Sequence, residues 1–538
     1  MDESGQEQVE FAFTTSDGAL HYIDLNSIKW TRHEYLSDIV DAVAYAKAKV
    51  EDKKKLIYGY KNRMIAHLNS GLNMFATRAV DYDLRNQDIF VSISTSGKIS
   101  GVDLADGLVL WSIWRQDFTA SSLSISGKSV LVIGKCADIK SSLVLIVDII
   151  TGTIHDERKV HGDLISAGKL GDLQCWWLLD ARDHIYVHPV SPACILKLEA
   201  DRERLYLYHL QRDSGILWGG VVGLSISREH GLFELTRTWK FRVPEGSTIS
   251  AVSAPDPSSI VASQGRVLGD RSVLLKYLNP NMVSLLAKSE DTVSIFLLDV
   301  VTGGIIYMAT HSDGFGKLSV VQFENRVVYS FLKDTIRLNM TLESQNLSKH
   351  NQIVVLELFT NSTDALASSF LSKTPTVISN AFTTEFPIDR LSVTRTKHGI
   401  ASREVIALSG GMLFGVSPHV LDARRHANKS SAYDIEEGLY PYYPYIGVNG
   451  EMIYSKSGFV YGKRILSIPS SLGFESKSLV IVYGEDLFTR AVYPSGQFDM
   501  LGDSFDYLSL IVTIVVLIIA IFLASYYADR KELNDAWR

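Results

Sequence analysis

The sequence predicts an all-β protein: a β-propeller body with an amphipathic interfacial helix and one C-terminal transmembrane helix. Three observations carry this. Apolar, β-branched runs of about four to eight residues recur along most of the 538-residue chain, separated by Gly, Asp, Asn and Ser. Several of these runs share a loose template of small residue, Gly, alternating apolar residues, Asp, Gly or Asn, then an aromatic. Near the C-terminus, Leu508 to Ala524 holds no charged residue and is dominated by Ile, Val and Leu.

The template is visible at four places. Thr15-Ser16-Asp17-Gly18-Ala19-Leu20 leads to Asp24-Leu25 and Trp30. Thr95-Ser96-Gly97-Lys98-Ile99 leads to Asp103-Leu104, Gly107 and Trp111. Leu145-Ile146-Val147-Asp148 leads to Thr151-Gly152, and Phe296-Leu297-Leu298-Asp299 to Thr302-Gly303. Asp103 and Asp148 lie about 45 residues apart, the length of one four-stranded propeller blade. The other intervals are irregular, so the repetition is degenerate. Unrelated hairpins with ordinary turn chemistry would give part of the same pattern.

One segment breaks the β pattern. From Tyr35 to Ala79 there is no Pro, and Gly occurs at Gly59 and Gly71. Ile57, Tyr60, Met64, Leu68, Leu72 and Phe75 fall at steps of three and four, on one face of a helix. The opposite face carries Lys53, Lys54, Lys55, Lys61, Arg63 and His67. An apolar stripe backed by cations suits a helix lying in a membrane interface; a helix packed on the body with a solvated basic face has the same spacing. At the C-terminal run, Tyr507, Tyr526 and Tyr527 flank the apolar residues as an aromatic belt, and with them the run reaches the length needed to cross a bilayer. Within it, Thr513, Ala520, Ala524 and Ser525 are small or hydroxylated positions suited to close helix packing in lipid. Arg530, Lys531 and Arg538 follow the span, whereas Arg490 is the one basic residue in the twenty before it. That asymmetry predicts a cytosolic tail and a body on the other side of the membrane.

The expected organisation is propeller strands over 1–32, an amphipathic helical segment over 33–80, propeller blades over 81–262, a β-rich C-terminal domain over 263–505, the transmembrane helix over 506–527 and a tail over 528–538. The N-terminus is acidic and has no apolar core, so it does not read as a signal peptide. A net charge of −7 argues against a nucleic-acid binder. Cys136, Cys175 and Cys194 allow at most one bridge and form no zinc spacing, which leaves the redox compartment open. Four N-x-S/T sequons begin at Asn339, Asn346, Asn361 and Asn428 and are glycosylation candidates if the body is lumenal. About two or three are expected by chance.

Chemistry-bearing motifs are missing. No HExxH, GxSxG, GxGxxG or EF-hand loop occurs. Gly127-Lys128-Ser129 resembles the end of a phosphate loop, but Ser122 stands in place of the first Gly and the strand Val130-Leu131-Val132-Ile133 follows where a helix is needed. Gly314-Phe315-Gly316 lacks a third Gly and reads as a hairpin loop. Tyr440-Pro441-Tyr442-Tyr443-Pro444-Tyr445 is either a recognition surface or an irregular core connection. No catalytic residue, metal ligand or cofactor is expected.

A family resemblance appears in the C-terminal half. Ser263-Gln264-Gly265-Arg266-Val267-Leu268-Gly269-Asp270-Arg271-Ser272-Val273-Leu274, with Lys276, Tyr277 and Leu278-Asn279-Pro280-Asn281, resembles the opening of the C-terminal domain of subunit 1 of the endoplasmic reticulum membrane protein complex. Gly399-Ile400-Ala401-Ser402-Arg403, Val420-Leu421-Asp422-Ala423-Arg424-Arg425, Val492-Tyr493-Pro494-Ser495-Gly496-Gln497-Phe498-Asp499, Phe505-Asp506-Tyr507 and Leu533-Asn534-Asp535-Ala536-Trp537-Arg538 follow in the same order. A looser likeness covers Phe11 to Trp111. The resemblance implies lumenal propellers, a horizontal amphipathic helix, one span and a cytosolic tail. It also implies a scaffolding role in an insertase for tail-anchored and weakly hydrophobic helices, with the other complex subunits, membrane lipid and client helices as partners. Family members are longer and begin with a signal peptide and a further propeller. The alternative reading is a tail-anchored, cytosolic-facing propeller serving as an interaction platform. A quinone-type propeller dehydrogenase, whose blades the Gly–Asp–Gly–Trp template resembles, lacks a calcium-carboxylate cluster and a vicinal cysteine pair.

Overall fold

The computed structural model describes residues 11–537 except 16–18, 25–26, 46–87, 117, 137–140, 172–173, 338–345, 361–368, 371–373, 427–430, 456–457, 471–473 and 500–506. Two compact units result: residues 1–47 with 87–495, and residues 48–86 with 496–538.

The first unit is built from sheets in chain order, antiparallel throughout except where Thr383–Thr384 pairs parallel with Tyr445–Ile446. A small sheet holds β1 (Phe11–Thr14), β2 (Leu20–Asp24) and β3 (Ser27–Arg32). Blade-like sheets follow: β4 (Ile39–Tyr45), β5 (Ile89–Ser94), β6 (Lys98–Asp103) and β7 (Val109–Trp114); then β8 (Phe118–Ser126), β9 (Ser129–Cys136), β10 (Ser141–Asp148) and β11 (Ile154–His161). Next, β12 (Leu164–Lys169), β13 (Trp176–Asp180) and β14 (His184–His188) are fused with β15 (Tyr206–Gln211), β16 (Ile216–Ser227) and β17 (Leu232–Arg242) through β14–β17 pairing. Helix α1 (Pro192–Asp201) lies between the two halves in sequence.

The next sheet joins β18 (Thr248–Ser253) to β21 (Met282–Lys288), β22 (Thr292–Asp299) and β23 (Ile305–Ser312). The intervening hairpin β19 (Gly265–Val267) and β20 (Val273–Lys276) goes to the following sheet, with β24 (Gly314–Phe323), β25 (Arg326–Arg337), β26 (Asn346–Thr360) and β27 (Thr376–Thr384). Then come β28 (Arg390–Val393), β29 (Val405–Ser409) and β30 (Met412–Val416). Short helix α2 (Ala432–Glu436) and β31 (Tyr445–Ile446) precede the last sheet, β32 (Gly462–Pro469), β33 (Ser478–Gly484) and β34 (Phe488–Val492). Because β18 pairs with β21, one sheet spans both sides of residue 263.

The sheets form a closed ring, and the strand alternation shows why. Successive side chains of a strand point to opposite faces. In β10, Leu145 and Val147 face the β4–β7 sheet, while Val144 and Ile146 face β12–β13. In β22, Phe296 and Leu298 pack towards β16, and Ile295 and Leu297 towards β24–β26. In β29, Val405 and Ala407 face β25–β27 and Ile406 and Leu408 face β33. In β33, Val480 and Val482 face β29, and Ile481 and Tyr483 meet Ile39, Ala42, Phe90 and Val102 of the β4–β7 sheet. Val91 and Ile93 of β5 then pack on β8–β10, which closes the circuit. Each such side chain buried contributes on the order of 1.5–3 kcal/mol. This is the β-propeller that the repeating template predicts.

The template itself is an interblade fastening. The turn Asp148–Thr153 and the turn Asp299–Gly304 each use the Asp carboxylate to accept the next N–H groups: Asp148 from Ile150 and Thr151 (2.9 and 2.8 Å), Asp299 from Val301 and Thr302 (2.9 and 3.2 Å). Each ends on a left-handed Gly, Gly152 and Gly303, both at φ 72°. Trp111 of β7 lies over Gly152 and donates its indole N–H to the Ile149 carbonyl (2.8 Å). Trp239 of β17 lies over Gly303 and donates to the Val300 carbonyl (3.0 Å). A Cβ on either Gly would stand 2.6 Å from the indole.

Two expectations need adjustment, one at residue 33 and one at residue 527. The segment read as helical from residue 33 opens with a 3-10 turn at Glu34–Ser37 and then strand β4. Ile39 and Ala42 of that strand are buried against the last sheet, a tertiary demand that the sequence window does not show. The residues of the amphipathic stripe, Ile57, Tyr60, Met64, Leu68, Leu72 and Phe75, lie outside the described residues. The second unit contains helix α3 (Tyr507–Ala536), which runs through the stretch assigned to the tail rather than ending near residue 527. Cys175 and Cys194 form a disulfide, and Cys136 is a free thiol.

The indole fastening predicts a coupled loss. Trp239→Ala should lower the stability of the propeller by on the order of 3 kcal/mol, read as a shift in denaturant midpoint of the full chain in detergent. Gly303→Val should do comparable damage through both the left-handed backbone and the clash. If either variant melted like the parent, the turn would be incidental.

Candidate functional site

The residues of the sequence motifs converge on a buried ion network. Glu357 interrupts the apolar run of β26, and its side chain is 1% exposed. Its carboxylate meets Arg326 of β25 (3.1 Å) and Arg266 of β19 (3.7 Å), and accepts the Ala423 N–H (3.1 Å). Asp422, also 1% exposed, pairs with Arg266 (2.7 Å), Arg424 (3.3 Å) and Arg326 (3.9 Å). Arg424 continues to Glu437 (2.8 Å), whose other oxygen accepts the Gly269 N–H (2.7 Å). Three guanidiniums thus face three carboxylates. Gly269 also packs directly on the Tyr433 backbone of α2, so a Cβ there would stand 2.3 Å from the Tyr433 carbonyl oxygen.

Two further motif stretches are clasped in the same manner. Lys276 and Arg403 both pair with Glu324, at 2.6 and 3.2 Å. Arg403 also donates to the Ile260 carbonyl (2.6 Å). The chain from Thr396 into this motif wraps Glu475, which accepts from the Thr396 hydroxyl (2.6 Å) and the N–H groups of His398 (2.8 Å) and Ile400 (2.6 Å). Asn279 donates to Asp299 (3.0 Å), tying the Leu278–Asn281 stretch to an indole-bearing turn. Tyr442 of the aromatic-Pro cluster packs on Phe382, and Arg425 donates to the Tyr440 and Pro441 carbonyls (both 3.1 Å), so this segment is a structural connection on that side. Tyr440, Tyr443 and Tyr445 remain exposed.

The electrostatics are those of a clamp. Burial alone would raise the Asp422 carboxyl, but Arg266, Arg424 and Arg326 outweigh it and hold the group below its ordinary value. Burial likewise works against the Glu475 carboxylate, and the Thr396 hydroxyl with the N–H groups of His398, Ile400 and Ala401 reverses that effect. Glu404 differs: burial pushes its carboxyl up, against a hydrogen bond from Tyr454 (2.5 Å). Among the described residues no group of three His, Cys, Asp or Glu side chains is placed to hold a metal.

The other candidate residues are placed as follows. Asn346 is the first residue of β26, paired with Arg337; Asn339, Asn361 and Asn428 lie outside the described residues. Thr513, Ala520 and Ala524 share one face of α3 at i, i+7 and i+11, and Ser525 sits one position round from them. The Thr513 hydroxyl donates back to the Ser509 carbonyl (2.7 Å). Helix α3 is long and apolar enough to cross a membrane. Sequence reading named Arg266, Asp422 and Arg424 as motif letters without their role. It passed over Arg326 and Glu357, although a lone carboxylate inside Ile353-Val354-Val355-Leu356-Glu357-Leu358-Phe359 was a visible signal.

These features define a β-propeller protein with a salt-bridged belt and, among the described residues, one membrane-length helix. Residues 86–495 match the family model described as ER membrane protein complex subunit 1, second beta-propeller, and the chain belongs to that family. It is 28% identical over 506 residues to ER membrane protein complex subunit 1 of Xenopus laevis, covering 88% of this chain and 49% of that one. Against the Gallus gallus protein of the same name it is 29% identical over 483 residues, covering 84% and 47%. Against that of Schizosaccharomyces pombe it is 32% identical over 328 residues, covering 59% and 35%. The chain spans about half the length, or less, of these relatives.

The network makes a specific forecast. Asp422→Asn keeps the shape and removes the charge that three guanidiniums face, so it should cost about 3–5 kcal/mol. Because the folded carboxyl lies below its ordinary value of 3.8, the contribution is complete above that pH and is lost as pH falls through the folded value. The melting temperatures of parent and variant should therefore differ most at neutral pH and converge in acid. A gap of constant size down to pH ~2 would place the effect elsewhere.

Proposed function

We propose that the chain serves as a non-catalytic scaffolding subunit of the ER membrane protein complex, with its propeller in the lumen, α3 across the membrane and the segment after Ala528 in the cytosol. The observation that carries this is the family match over residues 86–495, which takes in nearly all of the ring. In this reading the complex supports entry of tail-anchored and weakly hydrophobic helices into the bilayer, and the propeller binds other subunits. That part rests on the family resemblance. A scaffolding role accords with a network in which the buried charges are matched to one another, leaving them engaged in holding loops.

The disulfide favours the lumenal arrangement over a cytosolic-facing platform. Cys175 and Cys194 join the edge of β13 to α1, and such structural bridges persist in oxidising compartments. Microsomes from cells expressing the protein provide the test. The propeller should resist added protease until detergent is present, and Cys175 and Cys194 should alkylate only after reduction. Asn339, Asn346, Asn361 and Asn428 are the sequons whose endoglycosidase-sensitive shift would accompany this. Digestion of the propeller in sealed vesicles, with both thiols free, would establish the cytosolic platform instead.

The span acts as a packing element in this proposal, through Thr513, Ala520, Ala524 and Ser525. Small residues let helices approach closely in lipid, where apolar surface alone gives no drive to associate. Exchanging Leu508–Ala524 for a poly-Leu helix should leave membrane insertion intact and reduce co-purification of the other complex subunits several-fold. Undiminished recovery would leave the helix as a simple anchor.

A further inference from the structure

Two interblade turns hold an indole from the blade before them, and a third copy of the same turn is bare. The turn after β6, Asp103–Leu108, repeats the backbone hydrogen bonds of the other two, and its Asp103 carboxylate accepts the Ala105 N–H (2.8 Å). Asp103 N–H donates to the Leu108 carbonyl, Gly107 N–H to the Asp103 carbonyl and Leu104 N–H to the Asp88 carbonyl, each at 2.9 Å. The counterparts are Asp148 to Thr153, Gly152 to Asp148 and Ile149 to Lys128, then Asp299 to Gly304, Gly303 to Asp299 and Val300 to Asn281. Gly107 is left-handed at φ 76°, as Gly152 and Gly303 are at 72°. Above Gly107, however, no atom of the described residues lies within 4 Å of a Cβ position, whereas Trp111 and Trp239 crowd the other two. Among the described residues no side chain donates to the Leu104 carbonyl, the counterpart of the Ile149 and Val300 carbonyls. The ring neighbour on this side, β32–β34, has three strands and brings no tryptophan.

Trp30 matches the two docked tryptophans in register. In β6–β7, Gly101 faces Trp111 and the ladder then slips, so that Val102 faces Val109. In β16–β17, Gly219 faces Trp239 and Gly220 faces Arg237. In β2–β3, Tyr22 faces Trp30 and Ile23 faces Ile28, the same slip at the same place. All three tryptophans also stand shortly before the inner strand of the blade whose turn is in question: Ile39 is nine residues beyond Trp30, Phe118 seven beyond Trp111 and Thr248 nine beyond Trp239. Yet Trp30 is 46% exposed, its ring stacked on Tyr22 at 5.3 Å. An indole has a large apolar face and one N–H that needs an acceptor when it is buried.

We infer that the turn Asp103–Leu108 is an indole-docking seat and that Trp30 of the same chain is its occupant, lying over Gly107 and donating to the Leu104 carbonyl. Strand β3 is then the outer strand that completes the closing blade, and the small β1–β3 sheet is the latch of the ring. Tyr22 replaces the bare Gly101 and Gly219 beneath the ring, so Trp30 is carried one aromatic layer further out from its strand than Trp111 or Trp239.

Two measurements on the full chain in detergent test this. With p-benzoylphenylalanine at position 30, irradiation should link that residue to the peptide holding Asp103–Leu108. Links confined to other parts of the chain, or to another protein, would overturn the assignment. Since Gly107→Val is strained by its backbone alone, the second measurement is a double-mutant cycle with Trp30→Ala. The drop in melting temperature caused by Gly107→Val should shrink by at least half in the Trp30→Ala background, as it should for Gly303→Val in Trp239→Ala. Additive drops at the first pair, with coupling at the second, would show that Trp30 does not use the seat.

Discussion

Strands β5, β10, β22, β29 and β33 are buried on both faces, and the rest of the architecture depends on that. A sheet with one wet face can stand at the edge of a fold. Here Phe90 and Val91 are neighbours in sequence yet belong to different interblade cores, as do Val480 and Ile481. No blade is complete without the blades before and after it, so stability belongs to the circuit rather than to any member. A cavity made in one core is felt by the strand that also lines the next, because well-packed interiors do not absorb lost volume.

Apolar layers of this kind are non-directional, and the polar contacts supply the register. The indole of Trp239 fixes which turn of the next blade it meets, since the Val300 carbonyl and Gly303 are both needed. The ion belt fixes the long connection after β30. Asp422 and Arg424 sit on that connection, and they can find Arg266, Arg326 and Glu437 simultaneously in one geometry only. Buried pairs contribute little net stability against an apolar alternative, but removing one partner is expensive. Their value here is in choosing one path for a segment poor in secondary structure.

Much of this was legible in the sequence, and the limits have physical causes. The turns at Asp103, Asp148 and Asp299 announced themselves because a left-handed Gly and a capping Asp leave a local signature. The membrane-length helix was equally plain in Leu508–Ala524. Blade boundaries were obscure because the blades are unequal: β14 and β17 fuse two of them, and β26 gathers strands from both sides. Strand β4 was hidden inside a helix-like window, since what makes it a strand is Ile481 and Tyr483, far along the chain. Glu357 and Arg326 carried no pairing signal of their own, because a salt bridge is a relation between distant residues.

The core shared by the first and last blades has a consequence for biosynthesis. Ile39, Ala42 and Phe90 leave the ribosome about four hundred residues before Tyr483, against which they pack. At about 5–20 residues per second, that separation lasts on the order of 20–90 s. Throughout this interval one face of the nascent β4–β6 strands has no partner, so the half-built ring carries an adhesive flank that holdase chaperones are suited to cover.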